Sequence, residues 1–266
     1  MRLSRDDRKG IERLQALRTH IEVFAAHQAA LAASEGATVE PLRQACGEVR
    51  RAVQRGDGRE LADADEALHV AMVDLAAIPT LREVWYTTWR ALRSFHDASL
   101  REHWPDLRSL QEEHEYLVDA VCSGDPGAAE DAARNHLEAV RYRMAEQEPA
   151  TGSPPDPLQR VTAFLAFHLH RPLRLTEVAR SVAFISPGHL SRLLRERYGV
   201  GFQQYIQGER LERAARLLRT SRLPIRDVAA RVGYADLSRF AQHFRRRFGT
   251  TPLRYRGRRA EEEKET

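Results

Sequence analysis

Apolar residues recur at helical spacing along most of this chain. Over residues 11–33 they fall at Leu14, Leu17, Ile21, Phe24, Ala25 and Leu31, the three-and-four rhythm of one buried helical face. Thr38 and Pro41 open a second stretch through Leu42, Cys46, Val49 and Val53, which stops at the glycine-containing turn 56–58. Further stretches follow at residues 61–75, 80–95, 107–122 and 128–144. No period-two alternation bounded by hairpin turns interrupts them, so the first 150 residues predict an all-α bundle of six or so helices. T-G-S-P-P-D-P at residues 151–157 then reads as a linker, since proline cannot continue a helix and glycine and serine stay mobile.

Beyond the linker the stretches shorten and turns come between them. In D-V-A-A-R-V-G-Y-A-D-L-S-R-F-A-Q-H-F-R-R-R-F-G, residues 227–249, Val228, Ala229 and Val232 make a short apolar face and Gly233 allows a tight turn. Asp236 can cap a following helix whose inner face is Leu237, Phe240 and Phe244. That is the grammar of a helix-turn-helix, with Ser238, Arg239, Gln242, Arg245 and Arg246 left on the outside. The pattern recurs fifty residues earlier: Ser186 matches Asp236, Leu190 matches Phe240, Arg192 matches Gln242, Leu194 matches Phe244 and Gly199 matches Gly249. Between the copies, Tyr205, Ile206, Leu211, Ala214, Ala215, Leu217 and Leu218 mark one connecting helix over residues 202–218. Ala183 departs from the repeat, because it stands where the second copy has Gly233. A left-handed conformation there would cost an alanine about 1–2 kcal/mol.

Charge follows the same division. Residues 1–150 hold 19 Lys and Arg against 27 Asp and Glu, a net of −8; residues 151–266 hold 23 against 11, a net of +12. A cationic half beside an anionic one expects a polyanionic partner for the former. Ser186 and Pro187 start the first outward helix as cap and first residue, leaving Gly188, His189, Ser191, Arg192 and Arg195 opposite Leu190, Leu193 and Leu194. Cys46 and Cys122 are too few for a disulfide framework or a cysteine zinc site. The amino terminus leads into no uninterrupted apolar run, so neither a signal peptide nor a membrane span is expected. No H-E-x-x-H, nucleophile elbow or phosphate loop appears, and the expectation is that the chain is not an enzyme.

Four polar residues interrupt the apolar rhythm of the first half. Asp65 and His69, four apart, share a helical face; His114 lies among Leu110, Leu117, Val118 and Val121, and His136 among Ala132, Ala133, Leu137 and Val140. Three imidazoles and a carboxylate from three helices suit a first-row divalent ion with open coordination positions: zinc, nickel, manganese or iron. Each histidine is equally readable as a satisfied core or surface residue, and the whole bundle as a dimerisation scaffold.

D-E-A-L-H at residues 65–69, E-H-E-Y-L-V-D-A-V-C-S-G-D at 113–125 and R-N-H-L at 134–137 resemble the FCD effector domain of FadR-type GntR regulators, over about residues 11–145. The resemblance implies that Asp65, His69, His114 and His136 bind one metal whose free positions take a small organic acid. It also implies that Arg18 binds the effector carboxylate; as a surface residue, Arg18 would instead pair with Glu22 at i+4. Leu68 stands where that family usually has phenylalanine. That family's own winged helix-turn-helix normally precedes this domain, and only about ten residues do here, which implies that the C-terminal double unit replaces it.

That double unit, closed by T-T-P-L-R-Y-R at residues 250–256, resembles the DNA-binding domain of AraC/XylS-family transcription regulators over about residues 158–257. By this resemblance Gly188, Ser191, Arg192, Ser238, Arg239 and Gln242 read bases, while Arg195, Arg245, Arg246, Arg254 and Arg256 hold phosphate. Residues 258–266 are expected to be a charged tail, frayed from Glu261 onwards. The combined expectation is a homodimeric bacterial cytoplasmic regulator that binds a double-stranded operator under control of a small carboxylate. RNA polymerase is a further partner if it activates.

Overall fold

The six periodic stretches of the first half form six helices in a computed structural model that describes residues 5–102, 107–145 and 157–262. They are α1 (Arg5–Ser34), α2 (Glu40–Arg55), α3 (Gly58–Leu75), α4 (Leu81–Glu102), α5 (Leu107–Cys122) and α6 (Pro126–Ala145). Local chemistry sets several ends. Proline in the first turn starts α2, and Gly56, in the left-handed conformation, ends it. Asp57 caps α3 by accepting from the amides of Arg59 and Glu60. Helix α1 packs along α6, α3, α4 and α5, while α2 lies against α3 and α5. The core between them is lined by Ala26, Ala29 and Ala30 of α1, Leu42 and Val49 of α2, Leu61, Leu68 and Met72 of α3, and Leu110 and Leu117 of α5. Leu68 is completely buried. Cys46 and Cys122 are free thiols.

The chain divides into two compact units, Met1–Ser153 and Pro154–Thr266. Of the expected linker, residues 151–156 lie outside the described residues, and Pro157 already opens α7. The second unit comprises α7 (Pro157–His168), α8 (Leu175–Glu177), which runs into a π-helical turn (Val178–Val182), α9 (Pro187–Tyr198), α10 (Phe202–Thr220), α11 (Ile225–Arg231), α12 (Leu237–Phe248) and α13 (Pro252–Glu262). Helix α13 thus runs through Glu262, into the stretch expected as a tail; 263–266 lie outside the described residues. Among the described residues every regular element is helical, and no helix is long and apolar enough to cross a membrane.

Helix α10 serves two small cores. Phe202 and Ile206 at its start pack with Val178, Leu190 and Leu194. Leu211, Ala214 and Leu218 further along pack with Val228, Phe240 and Phe244. Ser186 caps α9 through the amide of His189, and Asp236 caps α12 through those of Ser238 and Arg239. Leu237 departs from the expected inner face: it sits in the first turn of α12 and is 45% exposed.

The two turns differ in the way the Ala183–Gly233 mismatch demands. Gly233 has φ of +84°, whereas Ala183 stays right-handed at φ −84° and the left-handed residue becomes Phe184, at φ +53°. The π-helical turn absorbs this shift, with the Ala183 amide donating to the Val178 carbonyl at 3.0 Å and the Ile185 amide to Ala179 at 3.0 Å. At Gly233 the chain comes very close to its neighbours, since a Cβ there would lie 2.4 Å from the Leu169 carbonyl oxygen and 2.8 Å from the Arg210 guanidinium. Arg210, at the middle of α10, donates to the carbonyls of Leu169 at 2.8 Å and Arg171 at 2.6 Å. The second turn, the segment after α7 and the connecting helix thus meet at one point and hold the two copies in register.

Gly233→Ala is expected to destabilise the second unit by about 3 kcal/mol, combining left-handed strain with the clash. Gly249→Ala, at φ +72° with open space around it, should cost only about 1–2 kcal/mol. Ala183→Gly should bring no stabilisation, because that residue is not left-handed. Denaturant unfolding of the three variants checks the order; equal losses at Gly233 and Gly249 would contradict the close-contact account.

Candidate functional site

In the first unit the apolar stripes of five helices are interrupted by ionisable groups, and the fold turns these interruptions towards one another. One nitrogen each from His69 of α3, His114 of α5 and His136 of α6 lies within 4.8 Å of the other two. Asp65, one turn before His69, places Oδ1 2.9 Å from His114 Nε2 and 4.0 Å from His69 Nε2. All four side chains are essentially inaccessible to solvent.

The outer nitrogens are held from behind. His114 Nδ1 donates to the Leu110 carbonyl at 2.9 Å, and His136 Nδ1 to Glu113 Oε2 at 3.2 Å. His69 Nδ1 stands 2.8 Å from Glu22 Oε2. The two hydrogen bonds fix the His114 and His136 rings with Nε2 facing the cluster, the arrangement that orients metal-bound imidazoles, while Glu22 lies beside His69 as an ion-pair neighbour without a hydrogen bond. His69 Nε2, His114 Nε2, His136 Nε2 and both Asp65 oxygens have no hydrogen-bond partner. The 2.9 Å approach of Asp65 to His114 lacks hydrogen-bond alignment, and it matches the spacing of about 3 Å kept by two ligands of one ion.

Electrostatics point the same way. Burial pushes His136 down to about 4, with His114 adding to the effect, and burial pushes His96 down to about 3, so both rings are neutral at pH 7. Burial opposes ionisation of Asp65, but the imidazoles of His96, His114 and His69 outweigh it and hold the carboxyl well below its usual range. For His114, burial is likewise overcome, here by Asp65, and its pKa is raised. Glu22 is buried too, yet Arg18 and His69 hold it below the ordinary value. Glu22, Asp65 and Glu113 bring three carboxylates to the cluster, and among the described residues Arg18 is the one guanidinium paired with them. Three carboxylates facing one guanidinium leave a negative excess at the cluster, which a divalent cation would complement. The residues present fit such an ion.

Arg18 meets the expectation of a pair with Glu22, but not that of a surface position. It forms the i+4 pair with Glu22, Nε to Oε1 at 2.5 Å, but it does so inside the protein at 3% exposure. Trp85 Nε1 donates to the same Glu22 oxygen at 2.8 Å, and the Arg18 guanidinium lies 4.6 Å over the ring of Trp89. Its Nη2 has no hydrogen-bond partner. Glu22, Glu113 and His96 were not singled out from the sequence. The signal was present: Glu22 falls one turn after Arg18 and Glu113 three residues after Leu110, both on buried stripes.

In the second unit, Gly188 and Arg192 of α9 and Ser238, Arg239 and Gln242 of α12 are exposed on the capped helices, while Ser191 is half-buried. Arg192 lies 3.7 Å from Glu196 in a solvent-facing pair, which costs little to exchange. Arg195, Arg245, Arg246 and Arg254 are exposed, and none forms an ion pair among the described residues. Arg247 instead pairs with Glu212 at 2.8 Å. Arg256 departs from the phosphate-holding set: it is half-buried and donates from Nη2 to the Leu223 carbonyl at 2.6 Å, tying α13 to the loop before α11.

Residues 13–139 match the family model of the FCD domain, and residues 181–258 match that of a helix-turn-helix domain. The HTH-type transcriptional regulator GlxA of Rhizobium meliloti (strain 1021) is 42% identical over 84 residues, which cover 32% of this chain and 26% of that protein. An uncharacterized HTH-type transcriptional regulator of Bacillus subtilis (strain 168), YfiF, is 34% identical over 99 residues, covering 37% of this chain and 31% of that one. The match thus spans less than a third of the length of these curated relatives. Among solved structures, a Chromobacterium violaceum transcriptional regulator described as an AraC-type DNA-binding domain-containing protein shares 25% identity over 39% of this chain and 92% of that one, with a TM-score of 0.38.

Acid should destabilise the metal-free protein early. His96 and His136 have folded pKa values of about 3 and about 4, against 6.5 in the unfolded chain, so between pH 6.5 and about 4 the unfolded state binds more protons and stability falls as pH drops. His114 acts oppositely: its raised pKa contributes stability present below 6.5 and lost as pH rises through the folded value. Urea midpoints from pH 7 to 4.5 should therefore decline, and His136→Gln should flatten the slope; a profile flat to pH 5 would contradict burial of neutral imidazoles.

Proposed function

We infer that this chain, which joins an FCD domain to an AraC-type helix-turn-helix domain, is a DNA-binding transcription regulator whose grip on its operator is set by a small carboxylate. Support for the DNA part comes from one observation above the rest: two capped helices on one connecting helix carry exposed Ser238, Arg239, Gln242 and Arg192 beside arginines that form no ion pair among the described residues. A solvated helix face has no need of the repeat or of the net +12 of that half. Arg192 suits a guanine and Gln242 an adenine through paired hydrogen bonds, with Ser191 and Gly188 letting the helix sit close in the groove. Arg195, Arg245, Arg246 and Arg254 suit phosphate, adding affinity without sequence preference.

For the effector part, Asp65, His69, His114 and His136 would hold one divalent transition metal: zinc, nickel, manganese or iron. When bound, that ion supplies a Lewis-acid position for a carboxylate. Arg18 offers its unpartnered Nη2 to the acid's oxygens while Glu22 holds its Nε in place. Glu113 and the Leu110 carbonyl keep the His136 and His114 rings facing inwards, and Glu22 stands beside His69. An acid that draws α1, α3, α5 and α6 together favours one arrangement of the bundle, and any dependence of DNA affinity on that arrangement is returned as dependence of acid affinity on DNA. A homodimer working in the bacterial cytoplasm, with RNA polymerase as a partner if it activates, completes this reading. In the alternative, the bundle is a dimerisation scaffold alone; the unpartnered inward nitrogens weigh against it.

Selection from random duplexes at moderate salt, with the full chain, yields the preferred sequence. Arg192→Ala and Gln242→Ala should each relax one base position by about 1–3 kcal/mol, whereas Arg245→Ala should weaken all sequences alike and lower the salt slope by about one. The reverse pattern would invert the base and phosphate assignments. On the selected duplex, EDTA and a panel of carboxylates should shift affinity at least about fivefold; unchanged affinity throughout leaves the scaffold reading.

A further inference from the structure

The turn before α12 carries a polar pair that the turn before α9 lacks. Tyr234 places its hydroxyl 3.1 Å from His243 Nδ1, and the two rings meet edge-on at 5.8 Å. Gln207 of the connecting helix α10 hydrogen-bonds the same phenol. An amide that donates to the phenol oxygen leaves the phenol's one proton for Nδ1, so His243 carries its own N–H on Nε2. That nitrogen has no hydrogen-bond partner among the described residues. His243 is half-buried on α12, four residues after exposed Arg239 and three before exposed Arg246, so the three share one side of the helix. Burial lowers the pKa of the ring, with Arg239 and Arg246 adding to the effect, and the imidazole is neutral at pH 8.

The fifty-residue repeat supplies a comparison inside one molecule. Tyr234 corresponds to Phe184 and His243 to Leu193, so the first copy has neither the hydroxyl nor the imidazole. Leu193 packs against the core of that copy, and Phe184 is 64% exposed. Because the same scaffold accepts an apolar pair at these positions, packing alone does not call for Tyr234 and His243. The neighbours differ in the same sense: Arg239 and Arg246 correspond to His189 and Glu196. A flank that ends in a carboxylate repels phosphate, and one that carries two guanidinium groups attracts it.

We propose that His243 donates from Nε2 to a phosphate oxygen of the operator, and that Tyr234, held by Gln207, is the positioning residue that aims it. This assignment rests on the reading that α12 enters the groove of the DNA. A hydrogen-bonded path then runs from the connecting helix, through the turn, to the DNA backbone, and it sets the depth and tilt of α12. Being neutral, the imidazole contributes affinity and orientation without releasing a counterion, unlike Arg245 and Arg246.

Binding of the full-length protein to its selected duplex at pH 8, over a range of salt, tests the assignment. The first copy supplies the substitutions. His243→Leu should lower affinity about fivefold, the worth of one hydrogen bond, on all sequences alike and with the salt slope unchanged. Tyr234→Phe should lower it about threefold, and the double variant should bind no more weakly than His243→Leu, because the hydroxyl acts only through the ring. His243→Gln, which keeps a neutral donor near the Nε2 position, should restore affinity to within about twofold of the wild type. His243→Leu protein that binds as the wild type does overturns the proposal, and so does a loss confined to one base position, which makes His243 a base reader. A loss that His243→Gln fails to restore, with a lowered urea midpoint, assigns the pair to packing and overturns it too. Additive losses in the double variant overturn the positioning role of Tyr234. Wild-type protein that prefers no duplex overturns the underlying reading instead, and that outcome is seen without any variant.

Discussion

The first unit is organised by the cost of enclosing charge. Glu22, Asp65 and Glu113 are taken fully out of water together with His69, His96, His114 and His136, and among the described residues Arg18 is the only guanidinium paired in their midst. Isolated carboxylates in such surroundings would be strongly disfavoured, so each is tied to a partner on another helix. Glu22 links α1 to α3 and α4 through His69 and Trp85, Asp65 reaches α5 and α4 through His114 and His96, and Glu113 bonds His136 of α6. The network connects five of the six helices, and its inward nitrogens still lack partners. An apolar core of the same volume would be simpler to fold; retention of an unsatisfied ionic centre is what gives this unit its functional meaning.

The second unit solves a different problem, the spacing of two short modules too small to be stable alone. Sharing α10 between two cores lets one helix complete both, and Arg210 with Gly233 fixes the joint between them. Outward arginines can then be left without internal partners, because the stability of the modules does not depend on them. Arg256 and Arg247 are the converse: they are spent on Leu223 and Glu212, and they hold the module's own shape.

Much of this was legible in the order of residues. Helical rhythm located all six bundle helices, because each buries one stripe and the period of that stripe is independent of its neighbours. The fifty-residue repeat located both helix-turn-helix copies, their caps and their connector. Interrupted stripes marked Asp65, His69, His114 and His136, since a polar group at a core position needs a reason. What escaped depends on three-dimensional neighbours. Leu237 reads as an inner residue by spacing, but it lies in the first turn of α12, where the core does not reach. Arg256 matches a basic motif, and only the fold turns it onto a carbonyl. Ala183 announced a conflict with Gly233, but not that a π-helical turn would pass the left-handed conformation to Phe184. Glu22 and Glu113 took their meaning from histidines on other helices, which no single stretch displays.

The central claim is that the enclosed histidine cluster is built for a metal ion, and elemental analysis tests it most directly. Full-length protein purified without a histidine tag or chelator should carry about one equivalent of a divalent transition metal per chain, falling below about 0.1 in His69→Ala. Less than about 0.1 equivalent in the wild type, with no uptake when zinc, nickel, manganese or iron is supplied, would contradict the account.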